Sequence, residues 1–216
     1  MMQGLLYGIR RFPVDLRNSD LFLLFLSIVL AVSAITGVTF LGDRLRLSIK
    51  QQAAVVLAAD VTLRSTAPIG PKYLSIAKGQ ELNTAETISF LSMTLHGGNS
   101  ILSSIKTTTP EYPLRGKLKL LDFNGQNIDK PTGSPMRGNV WAEQSLIDRF
   151  NISKGDSITV GNKRFVVSAV LADFPDRNDG FLAFAPTVIA NIEDLDAMGV
   201  IQPGSRVVYR QLYSGL

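Results

Sequence analysis

The chain has 216 residues, 45% hydrophobic and 19% charged, with a net charge of +4, enough apolar material for one domain or two small ones. Its basic residues are scattered singly, with no arginine-rich helix or aromatic-interleaved patch, which argues against a nucleic-acid partner. Cysteine is absent, excluding disulfides, thiolate metal sites, a cysteine nucleophile and a lipid anchor on cysteine.

The N-terminal stretch 1–20 reads as an amphipathic tail containing LLYGIRRF. Residues 21–42, LFLLFLSIVLAVSAITGVTFLG, carry no charge and are bracketed by Asp20 and Asp43. About twenty apolar residues cross a hydrocarbon core, so this segment predicts a transmembrane helix. A cleaved signal peptide, with Arg10, Arg11 and Arg17 as its basic region and Ala31-Val32-Ser33 as its cleavage site, is the competing reading. Cleavage there would leave a terminus that is still strongly apolar, and the segment exceeds a usual signal core, so an uncleaved anchor fits better. Arginines flank the segment on both sides, so charge alone does not orient it. A long domain translocates largely regardless of charge, which places the short tail in the cytoplasm and the rest outside.

After the membrane segment, Leu41, Leu45, Ile49, Ala53 and Val56 recur at helical spacing, predicting a stalk over 43–59. Asp60 ends it, and residues 60–216 are expected to form a mixed α+β extracytoplasmic domain. Val61 to Arg64 alternates as a strand, and residues 68–78 suggest a short helix stopped by Gly79. Residues 87–95 and 101–107 read as a hairpin around His96-Gly97-Gly98-Asn99-Ser100. The segment 125–138, rich in Gly, Pro and Asn, reads as an exposed loop and an internal boundary. Beyond it come a helix over 143–150 burying Leu146, Ile147 and Phe150, then a hairpin of strands 157–160 and 164–171. The apolar run Phe181 to Phe184, a helix over 186–195 and a closing strand over 206–212 complete the reading. That strand has no later segment to pair with, which suggests that the domain is incomplete.

Few motifs point to chemistry. Ser75-Ile76-Ala77-Lys78 matches the S-x-x-K of penicillin-binding enzymes without its companion elements, and an exposed Ser and Lys on a short helix account for it better. His96, the one histidine, reads as a solvated turn residue. Asp173, Asp176 and Asp179 with Asn178 and Gly180 resemble a calcium loop, but the EF-hand register fails, leaving a capped acidic turn. Ser33, Thr36 and Gly37 in the membrane helix read equally as a small-residue packing face or as incidental residues of an isolated anchor, and Trp141 reads as core. No phosphate-cradling loop is present, so any ATP is hydrolysed by a partner. No catalytic, cofactor-binding or metal residue is assigned.

The order of these segments, including LGDRLRLSIKQQAAVVLAADVTLRS, TISFLSM, EYPLRGKLKL, NVWAEQSLIDRFNISKGDSITVGNKRFVVSAVL, PDRNDGFLAFAP and IQPGSRVVYR, resembles ABC-transporter permeases of the MacB and FtsX type. Within them it resembles the YbbP-like predicted permeases. The resemblance covers nearly the whole chain through order and spacing rather than through one motif. It implies the N-terminal part of a permease in the bacterial inner (plasma) membrane, with a MacB-like periplasmic domain. It further implies that a separate cytoplasmic ABC ATPase drives movement or extraction of lipid, lipoprotein or peptide. The partners implied are that ATPase, membrane lipid and a second permease copy. A single-pass anchored binding or adaptor module is the alternative.

Overall fold

The computed structural model describes residues 19–128, 133–177, 184–202 and 204–215, with the backbone alone at 19–21 and 47–54. The chain divides into two compact units, Met1–Gln51 and Gln52–Leu216. Helix α1, Ser19–Val56, begins in the first and ends in the second.

In the first unit, residues Phe22–Arg46 make a helix long and apolar enough to cross a membrane, with a mean hydropathy of 2.4 and none of it buried. Wholly exposed apolar surface on this scale is costly in water and at home in hydrocarbon. The Ser27 hydroxyl donates to Leu24 O at 2.8 Å and that of Thr39 to Ile35 O at 2.9 Å, so neither is left unpaired in an apolar medium. Ser33, Thr36 and Gly37 are exposed. Arg44 lies over the Phe40 ring, 5.1 Å from its centre, at the end of the apolar run.

The second unit is β-rich. Its strands are β1 (Val61–Ser65), β2 (Asn83–His96), β3 (Asn99–Thr108), β4 (Lys119–Leu121), β5 (Asn139–Glu143), β6 (Ser157–Val160), β7 (Lys163–Asp173), β8 (Thr187–Asn191) and β9 (Val207–Ser214). Short helices α2 (Pro71–Gly79), α3 (Gln144–Phe150) and α4 (Leu195–Met198) complete it. The sheet runs β1-β9-β2-β3-β8-β5-β7-β4, and β6 pairs with both β2 and β7. That double pairing closes β2, β3, β8, β5, β7 and β6 into a ring, leaving β9 with β1, and β4, as extensions on its outside. The α+β expectation holds in outline, but the sheet is closed rather than open.

Strand alternation sorts the side chains onto two faces. Inward go Ile88, Phe90, Ile105, Val140, Phe165, Val167, Val188 and Val207, with Leu146, Ile147 and Phe150 of α3 packed on them, as the helical spacing of those three predicts. Outward go Ala85, Leu120, Trp141, Ala169, Leu171, Ile189 and Leu212, joined by Ala58, Ala59, Tyr112, Leu118 and Phe174 from the connecting segments. Burial on both faces of one closed sheet produces two apolar cores.

Four expectations change. Residues 187–191, expected within a helix, form strand β8, because β-branched Val188 and Ile189 have neighbours on both faces between β3 and β5. Only the 3₁₀ turn Ile192–Asp194 and α4 after it are helical. Strand β9 does have partners, but they come earlier in the chain, β1 and β2. The segment 125–138 does not divide the sheet: β3 precedes it, β5, β7 and β8 follow it, and Gly133, Ser134 and Pro135 are buried. The hairpin of β2 and β3 is longer than expected and turns on Gly97 and Gly98 alone, so His96 ends a strand and is paired with Asn99.

Candidate functional site

The segment between β3 and β4 is a strap across the outer core. Three of its side chains, Tyr112, Arg115 and Lys117, reach three different surroundings. The strap is held down at Gly133, whose N–H donates to Pro110 O at 3.1 Å and whose carbonyl accepts from the Thr108 hydroxyl at 2.8 Å. A Cβ at Gly133 would stand 1.4 Å from Tyr112 O, an impossible separation, so no larger residue allows the strap to lie so close. Gly116 turns it at φ +86, where an added Cβ would press on Pro175 and the Val55 side chain at 3.3 Å.

The first surrounding is a buried charge cluster. Lys106 on β3 and Arg210 on β9 converge on Asp176: Lys106 Nζ is 2.5 Å from Oδ1, and Arg210 Nη1 is 3.0 Å from Oδ2. The side chains are 4%, 10% and 4% exposed, in the order Lys106, Arg210, Asp176. Tyr112 Oη donates to Asp176 Oδ1 at 2.5 Å and also lies 3.0 Å from Pro175 O. The Lys106 ammonium stands 5.2 Å from the Tyr112 ring centre and 5.3 Å from that of Phe174, close enough for cation–π attraction. Two cations thus share one carboxylate in a desolvated place, where removing the carboxylate would cost far more than any one contact is worth. Register explains the meeting. Lys106 and Arg210 both lie on the outward face, since Thr87 of β2 pairs with both Arg210 and Thr108, and Thr108 lies two residues from Lys106.

The second is a clasp at the end of α1. Ala58 leaves the helix with φ 60, and its carbonyl accepts from Arg115 N at 2.9 Å. The Arg115 guanidinium holds Asp60 with two bonds, Nε to Oδ1 at 2.9 Å and Nη2 to Oδ2 at 2.8 Å. The same Nη2 donates to Gly215 O at 3.1 Å, and Gly215 N donates back to Asp60 Oδ2 at 3.1 Å. The Arg115 hydrogen bonds hold the Asp60 carboxyl below its ordinary value of 3.8. One arginine therefore ties the segment that follows the helix to the segment that follows β9.

The third is a groove of about 600 Å³ beside Lys117, walled by Val55, Val56, Phe174 and Pro175.

From the sequence, Asp60 reads only as the end of the stalk and Asp176 as part of a capped acidic turn, and the other polar residues have no assigned role. Asp176 is instead buried with its charge balanced, because its two oxygens face cations on β3 and β9, the strands on either side of β2. Asp173 pairs loosely with Lys119 at 3.6 Å, while Asn178, Asp179, Gly180 and the run 181–183 lie outside the described residues. Among the described residues no group of three His, Asp or Glu is placed to hold a metal ion. His96 is not a free turn residue: its Nδ1 is 2.9 Å from Ser157 O, and its ring packs 5.7 Å from that of Phe150. Ser75 bonds its own helix at Lys72 O and is exposed, as is Lys78. Trp141 is buried in the outer core, as expected.

Over 206 residues, 95% of the chain, it is 28% identical to the uncharacterized ABC transporter permease YbbP of Escherichia coli (strain K12), of whose length it spans 25%. The periplasmic region of MacB from Actinobacillus actinomycetemcomitans aligns with 73% of this chain and 77% of its own, at a TM-score of 0.43 and 13% identity. The MacB-like periplasmic core domain matches residues 21–213, and the chain accordingly belongs to that family.

Proposed function

We propose that this chain is the N-terminal part of a permease that couples ATP hydrolysis by a separate cytoplasmic ATPase to movement or extraction of lipid, lipoprotein or peptide at the outer face of the inner membrane. The tail before α1 is cytoplasmic and the β-rich unit periplasmic. The family supports the permease role, and the clasp supports coupling. Arg115 joins the end of α1 to the end of β9, while Tyr112, three residues earlier on the same strap, touches the buried charge cluster. The clasp gives a displacement at the helix end a hydrogen-bonded route to the end of β9 and to the strap. The work done outside needs no catalytic residue in this domain.

The test uses the complete permease with its ATPase in proteoliposomes. Arg115→Ala should leave ATP hydrolysis intact and uncouple it from export, and the exchange Asp60→Arg with Arg115→Asp should restore part of the coupling. Unchanged export in Arg115→Ala would mean that the clasp is only structural. Because the chain lacks cysteine, orientation is read from Thr66→Cys, which an impermeant thiol reagent should label from the periplasmic side.

A further inference from the structure

The groove beside the strap combines apolar walls with a basic rim. Its walls are apolar: Val55 and Val56 at the end of α1 are 47% and 58% exposed, and Phe174 and Pro175 face them. Its volume of about 600 Å³ falls within the range of small-molecule sites. Its rim is basic, with Lys117, Lys119 and Arg177.

The acidic groups nearby do not cancel that rim. Asp176 is engaged by Lys106 and Arg210. Asp173 meets Lys119 at 3.6 Å with both side chains more than half exposed, a pair worth little in water and readily exchanged. Arg177 pairs with Glu143 and lies over the Phe174 ring. Lys117 is exposed, and no ion pair is recorded for it among the described residues. Of the charged residues that line the cleft, Lys117, Lys119 and Arg177 outnumber Asp173 and Asp176, and Asp176 is turned to Lys106 and Arg210 behind it.

A free inorganic anion would satisfy the lysines and leave the apolar walls wet, and a neutral hydrocarbon would do the reverse. A ligand that satisfies both carries an anionic head on an alkyl chain. We infer that this groove binds an anionic amphiphile of the alkyl phosphate kind, with its chain along Val55, Val56, Phe174 and Pro175 and its head at Lys117 and Lys119. The inference gives the permease reading a ligand class and rests on it for biological use. Binding is nevertheless measured without ATPase or transport, so either idea can fail while the other stands.

The experiment uses the 216-residue chain in phosphatidylcholine nanodiscs with a decyl phosphate carrying a photoactivatable diazirine at the chain end. After irradiation and trypsin digestion, label should concentrate in the peptides 51–64 and 165–177, which carry the apolar walls. The matching diazirine decanol should label those peptides about ten-fold less, the difference expected from roughly one favourable charge contact. Unlabelled decyl phosphate should compete and millimolar inorganic phosphate should not. The double variant Lys117→Glu, Lys119→Glu should lose most of the label while keeping the thermal midpoint of the parent. Equal labelling by the alcohol, or full labelling of the folded double variant, would show apolar adsorption only and overturn the proposal. Competition by inorganic phosphate would reduce the site to a simple anion site, which also overturns it.

Discussion

The inside and outside of the closed sheet are both buried, yet they are built on different principles. Inside, the core is mainly apolar, from Ile88 and Phe90 through Ile105 to Val188, closed off by Leu146 and Phe150 of α3, with the uncharged Thr94, Ser103 and Thr107 buried on the same face. Outside, apolar Trp141, Ile189 and Leu212 share the layer with a lysine, an arginine, an aspartate and a tyrosine. An apolar core tolerates compensating changes of shape, whereas a charged one depends on each partner being in place. The inside therefore supplies robust stability. The outside fixes one position of the strap, and with it the clasp that meets the end of α1.

The largest break in that contrast should come from the strap's anchor. Gly133→Ala drives a Cβ into Tyr112 O, so the strap must lift, and we expect a loss above about 4 kcal/mol or failure to fold. Denaturation followed by the fluorescence of Trp141, the chain's single tryptophan, reads it directly.

Next is a pair of substitutions that separates charge from packing. Asp176→Asn leaves Lys106 and Arg210 facing each other without an anion and should cost about 3–5 kcal/mol. Lys106→Met leaves the balanced Asp176 and Arg210 pair and should cost under about 1.5 kcal/mol. If the two variants are equally destabilised in the same denaturation assay, charge balance is not what organises the outer core. On the inside, Ile105→Val should cost only about 0.5–1.5 kcal/mol, with no dependence on salt or pH.

The smallest effects are in pH profiles. Asp60 titrates below its ordinary value of 3.8 when folded, so its contribution is complete above that value and is lost as pH falls through the lowered one. Arg115→Ala should flatten the acid end of the stability curve while leaving its shape near neutrality unchanged. Glu86 behaves oppositely. Burial raises its carboxyl above 4.5, so stability falls as pH rises from 4.5 through the raised value. Glu86→Gln should remove that slope and add roughly 0.5 kcal/mol near neutrality. Thermal midpoints measured across pH distinguish the two residues by the sign of the change.

Local pattern alone carried a large part of the fold. The charge-free run before Asp43, the spacing of Leu146, Ile147 and Phe150, and the glycine-bearing turn after His96 each act within a few residues, and each forms as its pattern predicts. Residues 187–191 were ambiguous for a physical reason. A short apolar segment buried on both faces has no alternation to announce a strand, and only its place between β3 and β5 makes it one. The candidate site was illegible for a different reason. Asp176 lies 70 residues from Lys106 and 34 from Arg210, Asp60 lies 55 from Arg115, and no spacing rule reaches so far.

The sequence by itself determined a charge-free helix able to span a membrane, a mixed α+β unit after it and the places of its two hairpins, because propensity and periodicity are properties of neighbouring residues. Tertiary structure alone decided that β6 closes the sheet by pairing with β2, that Asp176 is a buried counter-ion rather than a solvated acid, and that the chain leaves β9 beside the place where it leaves α1. Those outcomes depend on which distant strands become neighbours, and that is set by the burial of two faces of one sheet at once.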